Sequence, residues 1–70
     1  MDPKYYCSIY NENEKFIKNE GGSCEIIQKM NGVWTIETFP SEYPEGDENL
    51  VEISAQKYNK IKKVAEKSHE

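Results

Sequence analysis

Arginine is missing from this chain altogether, so its nine cationic side chains are all lysines. Arginine supplies the planar donor fork that grips phosphates and guanine edges, and its absence argues against direct readout of a DNA duplex. A genome rich in A and T, which favours lysine codons over most arginine codons, accounts for it equally well. Histidine is confined to His69, beside the C-terminus, where fraying leaves no pocket to hold an imidazole. Cysteine is scarce too. Cys7 and Cys24 stand seventeen residues apart, with no Cys-x-x-Cys spacing and no histidine near either. Zinc and redox chemistry are therefore not indicated, and buried free thiols are expected. No apolar run follows Met1-Asp2-Pro3-Lys4, so neither a signal peptide nor a membrane span is expected. With no Asn-x-Ser/Thr acceptor in the chain, the reading is cytoplasmic.

Catalytic signatures are also lacking. There is no Gly-x-Ser-x-Gly, no phosphate-cradling loop and no zinc motif, and seventy residues would struggle to enclose a substrate-sized cleft. The chain reads as a non-enzyme, with no cofactor implied. Glu45, Asp47, Asn49 and Glu52 gather oxygen ligands in a short stretch, but their order and the glycine position do not match a calcium loop of the EF-hand type. A solvated loop is the expectation there, with no metal.

What the chain does have is charge of one sign in one place. Between Met30 and Lys57 it carries six carboxylates, Glu37, Glu42, Glu45, Asp47, Glu48 and Glu52, and no lysine, arginine or histidine. Beyond that stretch it becomes lysine-rich, and the formal net charge is -4. A concentrated run of one sign favours a basic partner over nucleic acid or an anionic membrane.

The length allows one domain, 1–70, with a thin core. Residues 4–10 (KYYCSIY) alternate and are rich in aromatic and branched side chains, which predicts a strand. Asn11 to Glu14 break it. Residues 15–18 (KFIK) predict a brief second strand, with flanking lysines suited to an exposed edge. Asn31-Gly32 between 24–30 and 33–39 predicts a hairpin, because both residues tolerate the positive φ of a tight turn. A two-residue loop would set Ile27 opposite Ile36 and Lys29 opposite Trp34; a bulged three-residue loop would set Ile26 and Gln28 there instead. The pattern leaves both registers open.

Pro40 should end the fourth strand at Phe39, and residues 40–49 (PSEYPEGDEN) read as an acidic loop. Residues 50–53 (LVEI) fit either a short strand or the hydrophobic anchor of that loop. Ser54 suits an N-cap, and Ala55, Tyr58, Ile61, Val64 and Ala65 recur at helical spacing opposite Lys57, Lys60, Lys63 and Lys67, which predicts a helix over 54–67. The expected fold is α+β: a small antiparallel sheet of three or four strands with one C-terminal helix packed on it. A thin core and two sheet edges also favour a homodimer.

In extended chain the acids lie about 10 Å apart, of the same order as the separation of successive phosphates along a nucleic-acid strand. Trp34, Phe39 and Tyr43 lie near them in sequence and would supply anchors for an interface. The partner-binding set is therefore Glu37, Glu42, Glu45, Asp47, Glu48, Glu52, Trp34 and Tyr43. Glu12, Glu14 and Glu20 would extend it if their turns lie on the same side.

In size, acidity and its Asn-, Glu-, Lys- and Ile-rich composition, the whole chain resembles the small acidic early proteins that bacteriophages of low-GC Gram-positive hosts use to disable host factors. Some of that class are DNA mimics that occupy the basic groove of nucleoid proteins such as HU. The resemblance implies an inhibitor acting in the host cytoplasm on a basic, nucleic-acid-binding protein; it transfers no functional residue. Two other readings compete: an interaction module anchored by Trp34 and the tyrosines, with the acids only solubilising, and a weak single-strand binder using Lys57, Lys60, Lys62, Lys63 and Lys67.

Overall fold

The computed structural model describes residues 2–10, 13–44 and 50–68. Five strands, β1 (Lys4–Tyr10), β2 (Asn13–Glu20), β3 (Ser23–Met30), β4 (Val33–Phe39) and β5 (Val51–Ile53), precede one helix, α1 (Ala55–Lys67). They form one antiparallel sheet in the order β4-β3-β2-β1-β5. The first four strands are a meander. The chain then passes from one outer strand to the far side of β1, where β5 completes the sheet.

Two tight turns set the meander's register. Asn31 and Gly32 take φ of 54° and 79°, and Gly21 and Gly22 take 56° and 88°, the left-handed values that a two-residue hairpin requires. Ile27 accordingly faces Ile36 and Lys29 faces Trp34, which selects the two-residue alternative. The second strand differs from expectation. It runs the full Asn13–Glu20 rather than 15–18, and it is central, between β1 and β3, rather than an edge. The polar residues at its ends have weak strand propensity. They are held extended because the ladder with β1 begins at Asn13 and the ladder with β3 runs to Glu20.

One row of cross-strand partners, Cys7, Phe16, Ile27 and Ile36, places the core on one face of the sheet. The helix covers that face: Tyr58 and Ala65 are fully buried against Cys7, Phe16, Ile27 and Trp34, with Tyr5, Ile36, Ile53 and Ile61 partly buried around them. Tyr5 and Tyr58 meet in a tilted pair with ring centroids 5.1 Å apart, and Phe16 and Trp34 in another at 6.3 Å. Ser54 caps the helix, its Oγ accepting from the Lys57 N–H at 3.2 Å. The expected apolar stripe is narrower than its spacing suggests. Ala55 and Val64 are exposed, while Lys62 is half-buried and reaches Glu25 on β3 at 3.1 Å.

Candidate protein-docking face

The opposite face of the sheet carries three of the acids singled out in the sequence, Glu37, Glu42 and Glu52. Glu37 on β4 faces Ile26, Ile26 faces Ile17, Ile17 faces Tyr6, and Tyr6 faces Glu52 on β5. Directly opposed residues in a sheet share a face. One straight row thus has a carboxylate at each end and apolar groups between, all pointing away from the helix. Its ends lie four strand spacings apart, about 19 Å.

Residues 41–44 lie over the middle of this face. Asn19, almost fully buried, holds them with two hydrogen bonds: its Nδ2 donates to the Tyr43 carbonyl at 3.0 Å, and its Oδ1 accepts from the Tyr43 N–H at 2.8 Å. The ammonium of Lys15 donates to the Tyr43 hydroxyl at 3.2 Å and sits 4.7 Å from the ring centroid. Lys15, Ile17 and Asn19 alternate along one face of β2, so a ring bridging the outer two spans Ile17, which is fully buried. Glu42 is fixed beside it, its Oε1 accepting from the Gly22 N–H at 3.2 Å. A groove of about 250 Å³ borders this segment, lined by Cys24, Ile26, Phe39, Ser41, Glu42, Tyr43 and Pro44.

Several sequence-predicted site residues therefore land together. Glu37, Glu42 and Glu52 are exposed on the face away from the helix, and Tyr43 lies half-buried between them. Glu45, Asp47 and Glu48 fall outside the described residues, as does Glu12. Trp34 does not join them. It is buried at 8% exposure beneath the helix, because even-numbered positions of β4 point to the core and odd-numbered ones away from it. Glu14 and Glu20 likewise lie on the helix side of β2 and do not extend the acidic face. Phe16 and Trp34 are interior, so they offer no stacking platform beside the helix lysines.

The helix lysines are separated from these acids, whereas Lys4 and Lys15 share their face. Lys57, Lys60, Lys63 and Lys67 are exposed on the helix, beyond the other side of the sheet. Ion pairs within the described residues include Lys62–Glu25 at 3.1 Å and Lys18–Glu20 at 3.7 Å, both on the helix-bearing face. Cys7 and Cys24 are buried free thiols on opposite faces of the sheet. Among the described residues, no group of three or more histidine, cysteine, aspartate or glutamate side chains converges as a metal site. No described helix is long and apolar enough to cross a membrane.

Sequence reasoning missed Asn19 and Glu25. Asn19 precedes Glu20-Gly21-Gly22 and reads as part of a turn, but a nearly buried asparagine needs partners for its amide, and the segment after β4 supplies them. Comparison with known proteins finds no matching family model, no matching curated protein and no matching solved structure.

Proposed function

We propose that this chain is a non-catalytic binding protein whose acidic sheet face docks on the basic nucleic-acid site of another protein and blocks it by competition. The observation that supports this reading is the separation of three acids from the helix lysines: Glu37, Glu42 and Glu52 face one way, and the exposed helix lysines lie beyond the opposite face. A cationic groove that approaches this face is clear of the helix lysines; the two lysines on the face itself are Lys4 and Lys15, and Tyr43 engages Lys15. The resemblance in size and composition to phage-encoded inhibitors of DNA-mimic type gives the reading a setting, the cytoplasm of a bacterial host, and a partner class typified by HU.

Magnitudes say which acids must act together. The row's ends are about 19 Å apart, more than twice the Debye length of about 8 Å at physiological salt. Glu37 and Glu52 cannot alone form one field. In this reading Glu42 stands with them, the charge of Glu45, Asp47 and Glu48, between them in sequence, adds to the attraction, and electrostatic steering speeds encounter.

The test is displacement of labelled duplex DNA from purified HU, together with capture from a bacterial lysate eluted by a salt gradient. Displacement that weakens steeply with rising salt, and is lost on Glu45→Lys, Asp47→Lys and Glu48→Lys, is the expected result. Affinity indifferent to both salt and charge reversal would instead assign the contact to apolar anchors. The exposed Phe39 beside the groove is the observation that favours this second reading.

A further inference from the structure

We propose that β4 is a dimerisation edge, on which a second copy of this chain adds its own β4 antiparallel about Ile36 to make a ten-stranded sheet. The sheet has two outer strands, and they are built differently. β5 has three residues with Glu52 at its centre, whereas β4 has seven residues, no lysine and no proline, and one charged side chain, Glu37, set off its centre. Its exposed side chains include Val33 at 60% and Phe39 at 39%.

The two-residue turn tells which backbone groups are available. In such a hairpin the flanking residues, Met30 and Val33, form a hydrogen-bonded pair, and the pattern alternates from there. Val33, Thr35, Glu37 and Phe39 therefore spend their N–H and C=O groups on β3, while those of Trp34, Ile36 and Thr38 point outward in the plane of the sheet. Three residues with outward ladder groups, centred on Ile36, are a template for an identical strand.

Symmetry then fixes the register. A two-fold axis through the Ile36 pair brings all seven residues of β4 into pairing and sets Trp34 against Thr38, Thr35 against Glu37, and Val33 against Phe39 of the second copy. The exposed valine and phenylalanine cover each other, twice. Centring on Thr35 would pair only five residues, and centring on Glu37 would oppose two carboxylates directly, which destabilises a sheet. In the Ile36 register the two Glu37 side chains are diagonal neighbours about 7–8 Å apart on the face away from the helices, close to one Debye length.

The dimer is measured on the purified chain alone, so its failure is distinguishable from failure of the partner-binding reading. Sedimentation equilibrium should give a concentration-dependent species of twice the 8.2 kDa chain mass. Thr35→Glu, at an exposed position, should weaken it at least several-fold by opposing Glu37 of the second copy. Thr35→Glu combined with Glu37→Lys should restore it, and Thr35→Lys alone should tighten it. Circular dichroism verifies that each variant is folded. A wild-type chain that stays monomeric to millimolar concentration overturns the proposal, and so does a dimer indifferent to all three changes.

Discussion

Tyr58 joins helix to sheet through one buried hydroxyl, which donates to Glu25 Oε1 at 2.8 Å while Lys62 holds the same carboxylate at 3.1 Å. Burial, then the hydrogen bond to Glu25 and its negative charge, push the phenol well above its ordinary value of about 10. The unfolded chain releases this proton first as pH rises. Stability from the group is therefore complete below about pH 10 and is lost progressively above it. Tyr58→Phe should flatten the alkaline fall in stability, read from urea midpoints between pH 8 and 11; an unchanged slope would show that the phenol does not set it. Asn19 presents a different case. Asn19→Ala removes both partners of the Tyr43 backbone and should cost about 1–3 kcal/mol in urea unfolding, since a buried polar group left unpaired loses its full desolvation energy. Tyr58 was legible as a helix residue facing inward, but its pairing with Glu25 and that of Asn19 with Tyr43 were not, because the partners lie 33 and 24 positions away and no local pattern encodes such a distance.

Elements whose cause is local were legible. Ser54 before a helical period and Asn31-Gly32 between two alternating runs define their structures within a few residues, and both are found as read. Ser54→Ala should cost about 1 kcal/mol by freeing the Lys57 N–H of its acceptor, measurable as a drop in thermal midpoint with no change in the sheet's spectrum. The length of β2 and the existence of β5 depend instead on neighbours. Glu14 and Asn19 are strand residues because β1 and β3 present ladders on both sides, Asn13 because β1 pairs it and Glu20 because β3 does. Val51–Ile53 are a strand because β1 offers a vacant edge to a segment too short to declare itself. The α+β class survives these additions, as one more strand widens the sheet without altering its two layers.

At the scale of the molecule, Glu37, Glu42 and Glu52 lie on the side of the sheet away from the helix with Lys4 and Lys15 among them, while the exposed helix lysines lie beyond the other side with Glu14, Glu20 and Glu25 beneath them. The order of charge along the chain was legible; its division between faces was not, because it depends on the parity of each strand position and on which face the helix takes. Glu37 and Glu52 were placed together only by a row that runs through five strands. Glu37→Gln with Glu52→Gln should leave the urea midpoint almost unchanged, because exposed positions tolerate substitution to within about 0.5 kcal/mol. Capture of a basic partner should weaken measurably in the same variant. The passage from β4 to β5 has a consequence of its own. This stretch is both the most anionic part of the chain and the connection between the two rims of the sheet, and Asn19 holds it at Tyr43. Trimming it to remove charge would also unmoor the last strand and the helix that follows. Evolution can therefore retune the surface there one side chain at a time, but it cannot discard the stretch and keep the architecture.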